Sequence, residues 1–200
     1  MTQEWLSPRQ LVGQHLILTP LVEEDASDYL AALGDPESAR RVTEHLSVGS
    51  PAHVDDVRAL IAQAVAAPDR LGYAQRLRAT GEFVGTTSFY DLDPRLRALA
   101  IGHTWIAERF WRTGVNTESK LLMLTRAFDG LGAERVVWHT DIRNLRSQAA
   151  IERLGALREG VLRHHRIRRD GSWRDTVQYS MLASEWPEAR DRLEAALNRA

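Results

Sequence analysis

The chain has 200 residues, of which 44% are hydrophobic, and its 26 basic and 27 acidic residues leave a net charge of −1. This balance argues against nucleic acid or an anionic membrane as a partner, and the absence of cysteine excludes disulfides, thiolate metal sites and a cysteine nucleophile. Because the sequence has neither a long apolar run nor the apolar core of a signal peptide, we expect a cytoplasmic protein that crosses no membrane.

Residue patterns in the front half of the chain predict one strand, then a helical region, then a pair of strands. The first strand, over residues 11–20, ends at a proline. The helical pattern covers residues 23–33, a turn around 39–45 and a clear amphipathic helix over 54–66. Two further strands, over 73–77 and 83–90, flank a tight turn at 80–82.

The back half alternates strands with helices. We predict strands over 99–106, 135–140, 157–166 and 173–181, and helices from 114 to about 129, over 146–154 and over 185–198. Asp170-Gly171 is the strongest hairpin signal. This order predicts a single mixed α/β domain over residues 1–200, with its core over about 11–186. The front of its seven-stranded sheet is antiparallel and its middle contains a parallel crossover.

Residues 99–129 form a predicted strand, turn and helix. Alternation puts Leu99, Ile101, His103 and Trp105 on one strand face and Ala100, Gly102, Thr104 and Ile106 on the other. The helix opens at Gly114–Thr117, with Asn116 or Thr117 as its cap. The unpaired N–H groups of the first turn, together with the Arg112 cation, predict a site for a phosphate-bearing cofactor. The alternative is an ordinary βα unit in which the glycine only serves the turn.

A second stretch extends this interpretation. DIRNLRS (141–147) and AAIERLGA (149–156), taken with WRTGVNTESK (111–120), resemble the Gcn5-related N-acetyltransferase (GNAT) superfamily, in its RimJ/RimL-like branch. The resemblance runs from about Leu16 to Trp186 and includes LILTPLVEED, FVGTTSFYD and RDTVQYS. It implies a GNAT fold, in which the sheet splays into a V between the fourth and fifth strands.

The resemblance also implies a reaction and a cofactor site. An acetyl group would pass from acetyl-CoA to a primary amine by direct attack in a ternary complex, without a metal ion. The pantetheine arm would lie against the backbone of Thr104, Trp105 and Ile106, and Asn144 would help to hold it. The pyrophosphate would bind the segment Trp111, Arg112, Thr113, Gly114, Val115, Asn116 and Thr117, in agreement with the anion site expected from the residues themselves.

Two positions depart from the family pattern. Many members carry a glutamate as general base where this chain has Ala100, and many carry a tyrosine as general acid where it has Ile151. The alternative to an enzyme is therefore a GNAT-like protein that binds acyl-CoA as a sensor. A nucleotide-binding α/β domain is a third interpretation, but the chain has no Walker-type loop and no complete Gly-x-Gly-x-x-Gly run.

Three residues are candidates for proton transfer. Ser147, at the position where the resemblance puts a serine near the CoA sulfur, would orient or protonate the thiol, or it is a first-turn helix residue. His103 is the best base by residue type, or it is a core histidine. Glu108 would act through water, or it is a solvated loop carboxylate.

The acceptor is less well defined. Glu44 and His45, together with Tyr90, are candidate substrate-binding residues, and Asp35 and Glu37 are further polar groups on the same side. We expect no metal at His164-His165, because adjacent strand residues point to opposite faces. The C-terminal helix and an exposed strand edge would permit a homodimer.

Overall fold

The computed structural model describes residues 2–199, apart from the side chain of Thr2. The helices are α1 (Thr2–Trp5), α2 (Ala26–Leu33), α3 (Pro36–Thr43), α4 (Val54–Ala66), α5 (Val115–Thr125), α6 (Leu145–Arg153) and α7 (Trp186–Leu197). The strands are β1 (Leu11–Val12), β2 (Leu16–Pro20), β3 (Arg70–Leu77), β4 (Phe83–Asp93), β5 (Ala98–Ile106), β6 (Arg135–Asp141), β7 (Leu157–Ile167) and β8 (Trp173–Leu182). The mixed α/β prediction is confirmed.

All these strands join one sheet, in the order β1-β2-β3-β4-β5-β6-β8-β7. The sheet has eight strands where the sequence predicted seven, because the first predicted strand is a small hairpin. Gly13 turns the chain, its N–H donates to the carbonyl of Leu16 at 2.8 Å, and Leu11 then pairs with Leu18. The strand predicted as the fourth is therefore β5.

The sheet opens between β5 and β6, the only parallel pair among the described strands. Pairing covers just Ala98–Ala100 against Arg135–Val137, although both strands continue well beyond it. The two strands diverge from that point, which is the predicted V-shaped splay. The backbone of β5 from Gly102 onward consequently has no partner strand on its β6 side.

Helices cover both faces of the sheet and enclose two hydrophobic clusters. On one face α5, α6 and α7 pack over Leu99, Ile101 and Ile106. On the other face α2, α3 and α4 pack over Phe83 and Trp105. The amphipathic pattern of α4 explains its docking, because its buried residues Val57, Ile61 and Ala64 recur at helical spacing on one side.

A β-bulge in β5 overturns the predicted faces of this strand. Thr86 pairs with Trp105 and Ser88 pairs with Gly102, so β5 carries one residue more than β4 over this interval. His103 takes up the extra length in a left-handed conformation, with φ of 49°. Beyond the bulge the alternation reverses, and Trp105 packs on the α4 face while Ile106 packs on the α5 face.

Gly85 of β4 allows the close approach that the bulge requires. Its φ is 152°, and a Cβ at this position would lie 2.0 Å from the carbonyl oxygen of Trp105. No other residue fits there without displacing one strand from the other. The bulge therefore depends on residues of two strands.

Candidate active site

The open side of the V is formed by the free backbone of β5 and by the segment that follows it. The indole N–H of Trp111 donates to the carbonyl of Ile106 at 2.8 Å, so this tryptophan fixes the end of β5. The side-chain amide of Gln75 approaches the carbonyl of Trp105 at 3.4 Å from the opposite side. These contacts hold the predicted pantetheine-binding residues of β5 in a fixed conformation.

The turn before α5 brings the predicted phosphate-binding residues together. Arg112 adopts a left-handed conformation, with φ of 63°, and its side chain is exposed. Thr113 closes the turn, because its hydroxyl donates to the carbonyl of Phe110 at 2.7 Å. Within the described residues, the N–H groups of Asn116 and Thr117 have no hydrogen-bond partner. They remain available to an anion.

The predicted cap of this helix is wrong. The residue at the N-cap is Gly114, and no side chain caps the helix there, whereas Asn116 and Thr117 lie inside the first turn of α5. Gly114 has φ of −65°, so it does not need the conformational freedom of glycine. A first turn without a side-chain cap leaves its N–H groups open to solvent or ligand, which suits a phosphate site.

Helix α6 lies against this turn on the other arm of the V. Asn144 caps α6, its Oδ1 accepting from the N–H of Ser147 at 2.9 Å. The guanidinium of Arg146 stacks over the ring of Trp111, 3.8 Å from its centroid. The two motifs that were separated in sequence thus meet at adjacent helix N-termini. Sequence reasoning missed Arg146, although its position between Asn144 and Ser147 was a signal.

The predicted base His103 lies beside Tyr90. Their rings meet edge to face with centroids 5.1 Å apart, and the Tyr90 hydroxyl is 3.0 Å from Nδ1 of His139 on the other arm of the V. His103 is exposed to solvent, and its pKa falls to about 4 because neighbouring groups partly desolvate the imidazole and because the guanidinium groups of Arg70 and Arg166 lie nearby. The imidazole is therefore neutral at neutral pH. The sequence analysis missed His139.

His103 also lines a pocket between α4 and β5, which we call the α4 pocket. Its walls are largely apolar and include Tyr29, Leu46, Val48, Leu60, Ile61 and Trp105. Its polar lining consists of Ser47, Gln63, Arg70, Thr86 and His103, and no carboxylate is among the described lining residues. The pocket reaches the bulge of β5, at the point where the V opens.

Two other predicted contributors lie outside this pocket. Glu108 forms an ion pair with Arg41, whose Nη2 is 2.8 Å from its Oε2, and this contact lowers the pKa of the carboxyl group. Glu44 is exposed, with its Oε2 3.8 Å from Nε2 of His45. The loop residues that follow, Leu46 to Val48, line the α4 pocket instead. Roles for Glu108, Glu44 and His45 stay predictions.

Lys120 of α5, which sequence reasoning also missed, lies against the opposite side of β5. It is the only lysine in the chain, and it is 5% exposed. Its Nζ donates to the hydroxyls of Thr87 and Thr104 at 2.9 and 2.8 Å, and no ion pair among the described residues includes it. Burial lowers the pKa of Lys120 to about 7. The signal was a lone lysine in a chain whose other basic residues are all arginine.

Residues 2–199 contain neither a metal-binding cluster nor a helix that could span a membrane. No group of three or more His, Cys, Asp or Glu side chains in this range could hold a metal ion. None of the helices there has the length and apolar character needed to cross a membrane.

Comparisons with known proteins point to one family. The sequence model described as "Acetyltransferase (GNAT) domain" matches residues 15–157. Over 118 residues the chain is 35% identical to "Putative ribosomal N-acetyltransferase YdaF" of Bacillus subtilis (strain 168), a match that spans 59% of this chain and 63% of YdaF. The match therefore covers less than two thirds of that relative.

Solved structures agree with this match. A GCN5-related N-acetyltransferase from Brucella melitensis superimposes with a TM-score of 0.90 at 28% identity, over 96% of this chain and 86% of that one. Mycobacterium smegmatis RimJ in complex with CoA-disulfide has a TM-score of 0.78 at 22% identity, over 96% of both chains. The second likeness is one of fold alone.

Proposed function

The chain belongs to the GNAT acetyltransferase family, and on this premise we propose that it is a member of the RimJ/RimL-like branch and transfers an acetyl group from acetyl-CoA to a primary amine. The nitrogen of the acceptor attacks the thioester directly, without a covalent enzyme intermediate. The observation that carries the proposal is the splay of β5 from β6 beside two adjacent helix N-termini. We also propose that residues 1–200 act as one GNAT domain.

The residues of the V fit acetyl-CoA as a co-substrate. The open first turn of α5, with the exposed Arg112, would bind the pyrophosphate, because both supply positive charge and free donors. The backbone of β5 from Gly102 onward, which has no partner strand on its β6 side, would bond the pantetheine amides in the manner of an added strand. In the RimJ structure from Mycobacterium smegmatis the ligand is CoA-disulfide. A CoA thioester at this position would supply the activated acetyl group.

The chemistry requires a proton to leave the acceptor and another to reach the sulfur. The C–S bond of the thioester breaks as the new C–N bond forms, and backbone N–H groups near the bulge of β5 would stabilise the developing oxyanion. His103 is the better base by location, because it lines the α4 pocket and is neutral, whereas Glu108 is held by Arg41. With a pKa of about 4, His103 would relay the proton to solvent rather than keep it.

Ser147 would orient or protonate the leaving thiol. It lies in the first turn of α6, and no hydrogen bond of its hydroxyl occurs within the described residues. Asn144 already accepts the N–H of Ser147 through Oδ1, while its side-chain amide nitrogen has no acceptor among the described residues and is free for the pantetheine. Asn144 would therefore act as a donor toward the cofactor.

A titration of the protein with acetyl-CoA, CoA and ATP, beside a thiol-release assay over a panel of amines and peptides, tests the proposal. We expect binding of acetyl-CoA and CoA but not of ATP, with thiol release only when an acceptor is present. Gly114→Val should weaken CoA binding, because the new side chain would stand among the free N–H groups of α5. Gly160→Val is the matched control, because a Cβ at Gly160 meets no atom within 4 Å.

An acyl-CoA sensor is the second candidate, favoured by two buried residues. Ala100 is 1% exposed and Ile151 is 6% exposed, so the positions where the family often has a base and an acid hold apolar side chains inside the core. Binding of acetyl-CoA without thiol release from any acceptor would favour the sensor. No binding of acetyl-CoA would contradict both candidates.

A further inference from the structure

Arg70 stands apart from the other partly buried arginines of the chain. Arg76 pairs with Asp25 at 2.6 Å, Arg168 with Asp141 at 2.6 Å and Arg135 with Glu159 at 2.5 Å. Arg70 is also partly buried, yet none of the ion pairs among the described residues includes it. Its Nε donates to the hydroxyl of Ser88 at 3.1 Å, and its terminal nitrogens have no hydrogen-bond partner within the described residues.

The charge of Arg70 is permanent. Burial lowers its pKa, but an arginine side chain starts so high that it keeps its proton at neutral pH. A partly buried guanidinium loses part of its hydration, which a counter-charge or a set of acceptors would offset. A single neutral hydroxyl is a weak substitute for a carboxylate.

The surroundings of Arg70 add no such counter-charge. It is the only permanently charged residue among those that line the α4 pocket, and the other basic group there, His103, is neutral. Asp69 precedes Arg70 in sequence but does not line the pocket, while Arg166 adds positive charge near His103. The pocket therefore presents an apolar wall, a positive charge and a neutral imidazole beside the bulge of β5.

We propose that the α4 pocket selects acceptors that carry a carboxylate in addition to the amine, and that Arg70 binds this carboxylate. The inference rests on the proposed acetyltransferase function. The amine of such an acceptor lies at the bulge near His103, and its apolar body contacts Leu60 and Trp105. Its carboxylate accepts hydrogen bonds from the terminal N–H groups of Arg70. A planar guanidinium can donate two parallel hydrogen bonds to one carboxylate. Arg70 is thus a specificity-determining residue.

The test compares ω-aminoalkanoic acids of increasing chain length with their carboxamides as acceptors, by thiol release. The amide has the same size and keeps the amine, but it lacks the charge. For the best chain length we expect kcat/KM to favour the acid by about tenfold or more. In Arg70→Gln the preference should disappear, mainly through a higher KM for the acid, and Arg70→Lys should restore part of it.

Controls separate this inference from the proposed function. Arg163→Gln removes an exposed arginine of β7 that forms no ion pair with a described residue, and it should leave the preference unchanged. Calorimetric affinity for acetyl-CoA should be equal in the wild type and in both Arg70 variants. If the wild type does not bind acetyl-CoA, the proposed function itself fails.

Three results would overturn the inference alone. One is binding of acetyl-CoA with equal turnover of acids and carboxamides. Another is an acid preference that survives in Arg70→Gln. The third is turnover confined to amines without a carboxylate.

Discussion

The two sides of β5 provide different environments for a basic side chain, Lys120 on one side and His103 on the other. On the α5 side Lys120 is enclosed, bonded only to Thr87 and Thr104, and burial alone lowers its pKa. On the α4 side His103 is exposed and lines a pocket, and partial desolvation together with neighbouring arginines lowers its pKa. The first arrangement excludes water and ties a helix to the bulge, whereas the second leaves a neutral imidazole at the wall of a pocket. One bulge therefore separates a buried amine from an exposed imidazole.

The largest effect should come from a substitution that breaks the bulge itself. In Gly85→Ala the new Cβ would lie 2.0 Å from the carbonyl oxygen of Trp105, so β4 and β5 must move apart. We expect the free energy of unfolding to fall by about 2–4 kcal/mol, measured by urea denaturation. Gly160→Ala, where a Cβ has open space, should change it by less than about 0.5 kcal/mol. Equal effects of the two substitutions would contradict this account of the bulge.

The pH dependence of stability tests the enclosed side. The folded pKa of Lys120 is about 7 and its ordinary value is 10.5. Between these values the unfolded lysine holds a proton that the folded one has lost, so the free energy of unfolding should rise with pH, by at most about 1.4 kcal/mol per pH unit. Below pH 7 both states are protonated and the contribution of Lys120 becomes constant.

Urea denaturation between pH 7 and pH 9.5 measures this slope, with Lys120→Met as the control. The chain has no cysteine and no second lysine, so few other groups titrate in the same window. We expect the slope in the wild type and its loss in Lys120→Met. Identical slopes would mean that Lys120 is not the group that titrates.

Ser147→Ala tests the open side of the V. Under the proposed function kcat should fall about tenfold, roughly 1.4 kcal/mol in activation free energy, while the affinity for acetyl-CoA changes little. The backbone N–H that Asn144 caps is retained in the variant, so stability should be preserved. Full activity in Ser147→Ala would show that Ser147 has only a structural role, as a first-turn residue of α6.

The smallest effect should come from Tyr90→Phe, which removes the hydroxyl 3.0 Å from Nδ1 of His139. We expect a loss of about 1 kcal/mol in the free energy of unfolding, because one partly buried hydrogen bond is lost. A double-mutant cycle with His139→Ala should assign most of this loss to the pair. Additive losses would indicate that the two side chains do not stabilise each other across the V.

Much of this fold could be predicted from residue patterns, because the elements have strong periodicity. The strand, turn and helix after Leu99 follow from alternation, a glycine and an apolar helical stripe. The split of the first strand had a signal in Gly13, which a ten-residue strand should not contain. The bulge at His103 had no such signal, because the residues around it alternate regularly. One extra residue in a strand does not alter the residue types from which a strand is predicted.

The site could be predicted only in part, for a related reason. The turn that we propose as the phosphate site is local, so its residues adjoin in sequence and their chemistry can be read directly. Arg70, His139 and Lys120 come from different elements. What each can do depends on which charged side chains lie near it in the fold, and the sequence does not show this. A charged residue in an amphipathic segment normally faces solvent, so periodicity alone puts Lys120 at the surface, and only its being the single lysine of the chain sets it apart.

The enclosure of Lys120 has a consequence for the surface of the protein. Because it is the only lysine, no ε-amine is exposed among the basic residues that cover the molecule, which are arginines. Guanidinium groups do not react with thioesters at neutral pH as free amines do. Under the proposed function, the protein binds an acylating agent but exposes no side-chain amine that this agent could acylate. The burial of Lys120 therefore protects the protein from acetylating its own lysine.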